Sequence, residues 1–298
     1  MVGAQAVSLA KRFATVMTRR KLLYRSARVP PRRTAAALNL TPRALGWDRI
    51  HFAVRHLAAG AVWTGLSRDE ERCLVLLRGE FEVSWDGGAR HRIGPRGDVF
   101  TAYPHAVYLP AGTRFRVTAS TECEIAEARA ASKKTLEPRV IRPADCGYEI
   151  RGGGNATRQI VDIVPPAFPA DRLLLCEVYT PGGNWSSYPP HKHDTDDPPR
   201  EVDLEEIYYF RSRDANGYGF HRVYNRWHDD TLRVTHGDVV AVRDGFHPFV
   251  TAYGYDAYYL NVLAGERRSM AASDDPHYAH FRREWPPPDP RLPLVPRP

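Results

Sequence analysis

Two histidines in an HxH pair, His191 and His193, close the run Gly182-Gly183-Asn184-Trp185-Ser186-Ser187-Tyr188-Pro189-Pro190-His191-Lys192-His193. Glu206-Ile207-Tyr208-Tyr209-Phe210 follows, and then a segment from Gly237-Asp238-Val239 to Asp244-Gly245-Phe246-His247. Side chains alternate across a strand, so His191 and His193 point one way and Lys192 the other. Glu206 opens a second strand and His247 follows a Gly turn, so a barrel can aim all four groups at one ion. Three imidazoles and a carboxylate suit one divalent metal, Zn, Mn, Fe or Ni, with positions open for water or substrate. An HxH pair alone arises by chance, but a downstream Glu and a Gly-Asp…Gly-Phe-His segment at barrel-like spacing favour the metal. Glu205 competes with Glu206 for the carboxylate position. Glu206 is preferred because its strand face also carries Tyr208 and Phe210, a pocket wall. The other histidines (His51, His56, His91, His105, His221, His228, His236, His277 and His280) read mostly as surface or structural groups.

The elements that must position these residues are strands. From residue 48 onward, short apolar and aromatic runs alternate with Gly, Pro, Asn and Asp, and helical periodicity is scarce. Strands are expected at 50–57, 73–78, 80–85, 99–103, 105–109 and 114–118, and again at 172–179, 206–211, 219–224, 238–242, 247–251 and 256–263. The 25 prolines gather in connections, where a missing N–H costs little, and 286–298 is too Pro-rich for a regular element. Three segments recur: Gly60 and Trp63 match Gly182 and Trp185, Gly97-Asp98-Val99 matches Gly237-Asp238-Val239, and Pro110-Ala111-Gly112 matches Arg243-Asp244-Gly245. The larger offsets later in the repeat imply an insertion in the second copy, for which the acidic Asp194–Glu205 loop is the candidate. Two copies of one β unit, each a small antiparallel barrel or jelly roll, are the simplest account.

The 298 residues, 43% hydrophobic and 26% charged, exclude disorder along the whole chain. Of the net charge of +7, ten basic residues lie in the first 47 positions, which hold no Asp or Glu, leaving −3 on the remainder. A mildly acidic body lacks the cationic face that nucleic acid requires. Residues 1–44 therefore read as a basic leader outside the fold, disordered or from a misassigned start, with Met17 a later initiation point. No apolar run reaches the roughly 18 residues that cross a bilayer, and no secretory signal is evident, so a cytoplasmic protein without a membrane partner is expected. Cys73, Cys123, Cys146 and Cys176 lack CxxC spacing and read as reduced core residues.

The metal-ligand motifs resemble those of cupins. Twelve residues separate His193 from Glu206 where cupins commonly have three or four, and Arg243 stands in place of the usual Pro. More specifically, the 182–194 run, Glu205-Glu206-Ile207-Tyr208-Tyr209, Arg222-Val223-Tyr224 and the 254–265 run resemble the 5-deoxy-glucuronate isomerase family, bicupin enzymes of myo-inositol breakdown. Glu71-Arg72-Cys73-Leu74-Val75-Leu76-Leu77-Arg78-Gly79 and Ala106-Val107-Tyr108-Leu109-Pro110 fit it in the first half. The resemblance covers about 45–285 and implies an all-β bicupin with short helices. Residues 45–150 would form a cupin without metal ligands, with Arg114 near where a ligand would fall, and 151–285 the metal-binding cupin.

The implied reaction converts 5-deoxy-glucuronate to 2-deoxy-5-keto-gluconate, an aldose–ketose isomerisation with one divalent ion polarising two substrate oxygens. A metal-bound hydroxide, Glu205 and Tyr208 are the eligible bases. Arg222, and after it Arg172, are the candidates for the substrate carboxylate, which favours the planar guanidinium. Tyr258 and Tyr259 lie on opposite strand faces, so one of them faces the pocket, and Tyr258 is carried as the substrate contact. An iron dioxygenase and a non-catalytic sugar-binding cupin remain as alternatives, and homo-oligomerisation is left open.

Overall fold

The computed structural model describes residues 21–28, 30 and 33–298. Two large antiparallel sheets lie face to face, and each curls into a cup on its outer side. The second-half sheet runs Leu23–Arg25, Asp238–Val242, Leu204–Ser212, Ala257–Gly265, Leu173–Thr180, Arg158–Val164, Glu149–Arg151. Across its cup lies a four-stranded sheet of Trp185–Ser186, Phe249–Thr251, Tyr218–Tyr224 and Asp229–Thr235. In the first half, the 16-residue strand Glu70–Trp85 serves both walls. Its early part pairs with Ala106–Leu109 and Cys123–Ala131, its later part with His91–Arg96 and Arg114–Ala119. The only helices among the described residues are Pro42–Leu45 and the 3-10 turns Pro143–Asp145 and Ala279–Arg283, and none is long and apolar enough to cross a membrane.

Central strands read as continuous apolar runs because both their faces are buried. Alternation divides each run between two cores. In Cys73–Leu77, Cys73, Val75 and Leu77 enter the core shared by the two halves, whereas Leu74 and Leu76 line the first cup. In Leu204–Ser212, Ile207 and Tyr209 face the shared core, and Tyr208 and Phe210 face the second cup. Ala257–Gly265 follows the same rule, with Tyr258, Leu260 and Val262 inward to the shared core and Tyr259 into the cup. The four cysteines are free and buried.

Two charged clasps join the halves. Glu205 accepts the backbone N–H groups of Asp48, Arg49 and Ile50 at 2.9, 3.1 and 2.9 Å. Glu71 does the same for Asp171, Arg172 and Leu173 at 2.7, 2.6 and 2.7 Å. Each half thus supplies the carboxylate that satisfies the start of a central strand of the other, Ile50–Leu57 or Leu173–Thr180. Between them Arg96 of the first half donates to both oxygens of Glu177 at 2.8 Å, fully buried.

Two expectations change, and a third holds with an addition. Residues 1–20, 29, 31 and 32 lie outside the described residues, but the described part of the expected leader belongs to the fold. Leu23–Arg25 pairs with Asp238–Val242, and Ala35–Leu40 pairs with Ile50–Leu57, so burial of Leu38 and Leu40 outweighs the local basic composition. The expected strand at 99–103 is a turn, held by the Arg96 guanidinium on the carbonyls of Val99 and Ala102. The Pro-rich tail has no regular element yet packs, with Val295 buried in the shared core and its backbone bonded to Gln159.

Candidate metal centre

His191 lies in the short strand His191–Lys192, paired with Ser273–Asp274. Lys192 points away from the cup, as alternation requires, and its ammonium meets Asp194 and Glu201 at 2.5 and 2.8 Å. The inserted loop closes on itself, because Glu201 also accepts the N–H groups of Asp194 and Thr195. Asp194 in turn accepts the N–H of Gly245 at 2.8 Å, tying this loop to the turn that presents His247. Gly245 has a φ of +91°, and a Cβ there would stand 2.6 Å from the Tyr224 carbonyl, so the turn requires glycine. The insertion therefore lengthens the path from His193 to Glu206 without displacing the ligands.

Inside the cup, ligating atoms of His193, Glu206 and His247 lie within 4.8 Å of one another, all three residues buried, the one such cluster among the described residues. His193 Nε2 is 2.8 Å and His247 Nε2 3.2 Å from the same Glu206 oxygen. His193 Nδ1 faces the Leu204 carbonyl at 3.2 Å and His247 Nδ1 the Gly245 carbonyl at 2.8 Å. A carbonyl only accepts, so both rings carry the proton on Nδ1 and turn an Nε2 lone pair towards a carboxylate oxygen. The buried His247 Nε2 has no hydrogen-bond partner. Asn261 donates to the other Glu206 oxygen at 2.7 Å and orients it. The His191 ring centroid stands 4.9 Å from that of His247 and 6.3 Å from that of His193, at the rim of this triad.

The electrostatics ask for a cation. Burial alone would raise Glu206, but the imidazoles of His193 and His247 set against its carboxylate hold it well below the usual carboxylate range. Burial opposes charge on His193, yet the Glu206 carboxylate beside it pushes its pKa upward. Burial and then the neighbouring His247 and His193 keep His191 neutral. Lone pairs converging on one anion, with an orphaned nitrogen among them, fit a divalent ion with N/O ligands.

Around this point stand Tyr208, whose hydroxyl lies 3.2 Å from Ser187 Oγ, and Tyr259, whose hydroxyl lies 2.5 Å from Ser186 Oγ. The two phenol rings are 4.9 Å apart, and Tyr208 is 5.9 Å from the His247 ring. His221, buried, bonds the His247 carbonyl at 3.1 Å, and burial followed by His247 pushes its pKa down to about 3.

Several expected site residues lie elsewhere. Glu205 is on the opposite strand face from Glu206, committed to three N–H groups of the other half, and is no base for this pocket. Arg222 alternates with the inward His221, so it faces outward, paired with Asp229 at 2.8 and 2.7 Å and stacked on Tyr224. Arg172 pairs with Glu266 at the margin of the interface between halves. Tyr258 donates to Glu177 at 2.9 Å in the shared core, so Tyr259 is the tyrosine of the cup. Arg114 is exposed on its strand. Equivalence of Glu71 with Glu205 puts Arg72 where the second half has Glu206. Arg72 pairs with Glu127, with Arg55 and Arg129 beside it, in place of a ligand set.

The sequence profile of the KduI/IolB family matches residues 22–281. The chain belongs to this family. Within curated members, 5-deoxy-glucuronate isomerase of Geobacillus kaustophilus is 43% identical over 251 residues, covering 83% of this chain and 91% of that protein. The Bacillus subtilis strain 168 enzyme of the same name is 39% identical over 240 residues, covering 79% and 87%. An IolB-like protein from Salmonella typhimurium LT2 superimposes with a TM-score of 0.83 at 38% identity, over 88% of this chain and 99% of that one. A Bacillus subtilis oxalate decarboxylase variant, at 13% identity and a TM-score of 0.62 over 86% and 80%, shows that this KduI/IolB member has the bicupin fold.

Proposed function

We propose that the protein is a metal-dependent isomerase that converts 5-deoxy-glucuronate to 2-deoxy-5-keto-gluconate, with one divalent ion on His191, His193, Glu206 and His247. The observation that carries this reading is the pair of Nε2 lone pairs turned onto one Glu206 oxygen, in a chain whose relatives bear this enzyme name. Such an ion supplies Lewis-acid polarisation of the carbonyl and the adjacent hydroxyl oxygen. Leu204 and Gly245 carbonyls fix the tautomers, and Asn261 fixes the carboxylate. Tyr208, with its hydroxyl 3.2 Å from Ser187 Oγ and its ring 5.9 Å from the His247 ring, stands beside this point and holds a proton at Oη within the pocket. Tyr259, Ser186 and Ser187 wall the pocket. The four buried free cysteines suit a reducing, cytoplasmic compartment.

The test is conversion of 5-deoxy-glucuronate by purified, metal-loaded protein, followed by NMR with and without air. Isomerisation needs no oxidant and is expected to proceed anaerobically. Strict dependence on O₂ would overturn the reading in favour of an oxygenase.

A further inference from the structure

Four arginines are buried among the described residues: Arg72, Arg96, Arg158 and Arg211. Arg72 has Glu127, Arg96 has Glu177 and Arg211 has Glu124 as a buried counter-charge. Arg158, 4% exposed, has no carboxylate within ion-pair distance. Its hydrogen bonds run through Nη1 to two backbone carbonyls, Tyr188 at 3.2 Å and Ala156 at 3.5 Å. An arginine does not give up its proton in proteins, so this cation is carried in the interior without an anion.

Its position is informative. Arg158 opens the strand Arg158–Val164 on the face that Ile160 turns into the second cup. Tyr188, whose carbonyl it holds, is three residues before His191 in the ligand-bearing loop. Burial raises the Tyr259 phenol, with the Arg158 guanidinium first among the groups opposing it, and burial followed by His247 and His193 lowers the His191 imidazole, to which Arg158 adds a smaller push. Burial brings its own pKa down to about 10, and Arg151 and Arg282 push the same way. Those two neighbours are already paired, with Glu149 and Asp274.

We infer that Arg158 is the seat of the substrate's carboxylate, at the end of the pocket away from the carbon that isomerises. This rests on the proposed function for the identity of the acid, and it replaces both arginines that the sequence suggested. A planar fork with free donors, beside the ligand loop and lacking an internal anion, is matched to a uronate's terminal carboxylate. The incoming acid supplies the missing charge, so the site discriminates uronates from neutral sugars by leaving Arg158 unpaired with the latter.

The experiment compares 5-deoxy-glucuronate with 5-deoxy-glucose, which has CH₂OH in place of the carboxylate, on wild type, Arg158→Lys and Arg158→Gln, with metal content and melting temperature as controls. Calorimetric binding of D-glucuronate against D-glucose is the second arm. Wild type is expected to favour the acid by on the order of 10²-fold in kcat/KM and in affinity. Arg158→Gln is expected to bring that ratio close to unity, mainly through KM on the acid, and Arg158→Lys to keep part of it. A ratio unchanged in Arg158→Gln, or near unity in wild type, overturns the inference. If Arg158→Gln does not fold, the wild-type and Arg158→Lys ratios decide. Failure of wild type to isomerise either sugar would instead overturn the proposed function, and the calorimetric ratio would still judge Arg158.

Discussion

Glu205 and Glu206 are neighbours on one strand with opposite tasks, and alanine at each separates folding from chemistry. Glu205→Ala removes the acceptor of three backbone donors. The Ile50 N–H is buried and loses its only partner at a cost of about 1–3 kcal/mol. Asp48 is exposed and Arg49 half-buried, so water partly replaces the carboxylate and each loses at most roughly 1 kcal/mol. The total of at most about 3–5 kcal/mol corresponds, at about 2 °C per kcal/mol for a chain of this size, to a melting temperature lower by at most roughly 6–10 °C. Metal content per folded molecule is unchanged, because the clasp lies on the other sheet face. Glu206→Ala should do the reverse, emptying the site of metal while the protein still folds on its two cores. Differential scanning calorimetry and elemental analysis on both variants read the two effects separately. Loss of metal without loss of stability in Glu205→Ala would refute the facing of this strand, and with it the division of the sheet into a shared-core face and a cup face.

His193→Ala and His247→Ala should each remove most bound metal and activity with circular dichroism preserved, whereas His191→Ala, at the rim of the triad, should weaken metal affinity less, as a chelator titration would show. Glu124, depressed to about 2 where Arg211 and His56 outweigh burial, contributes about 3 kcal/mol above pH 5. That stability is lost as the pH falls from about 4.5 towards 2, so Glu124→Gln should be less stable than wild type at pH 7 and equal to it near pH 2 in urea titrations. Starting the chain at Met17 should leave activity and melting temperature unchanged. Starting at residue 27 should lower both, since it removes the strand on Asp238–Val242, the Arg25–Asp238 ion pair and the packing of Leu22 and Leu23 against the cup.

The clustering of His193, Glu206 and His247 was legible because a β-strand's period of two is rigid: it puts His191 and His193 on one side, sends Lys192 outward and joins Glu206 to Tyr208. The strands at 50–57 and 238–242 coincide with the observed Ile50–Leu57 and Asp238–Val242 for the same reason. Periodicity does not say which face of a doubly buried strand meets the cup. Tyr258 and Tyr259 are both fully covered, and only the register that pairs Phe210 with Tyr259 puts the latter in the pocket. Arg222 failed similarly, as its neighbour His221 took the inward position. Arg158 gave no signal, because the absence of an acidic partner is a property of three dimensions.

The reciprocal clasps explain why a half without ligands is kept in the same fold. Asp48–Ile50 and Asp171–Leu173 are 123 residues apart, whereas Glu71 and Glu205 are 134 apart, so the 11 extra residues of the second copy fall between the start of Leu173–Thr180 and its carboxylate, where the loop after His193 lies. Glu205 can sit beside a metal ligand only because the first half delivers three N–H groups to neutralise it on the far face. Without that partner, the strand carrying Glu206, Tyr208 and Phe210 would bury a carboxylate with no donors on its other side. In the first half Arg72, paired with Glu127, stands where the second half has Glu206, and the donors lie at Asp48–Ile50. The contribution of the first half to the second cup is thus electrostatic support from behind, and the pocket depends on both copies although one copy alone supplies the cluster of His193, Glu206 and His247.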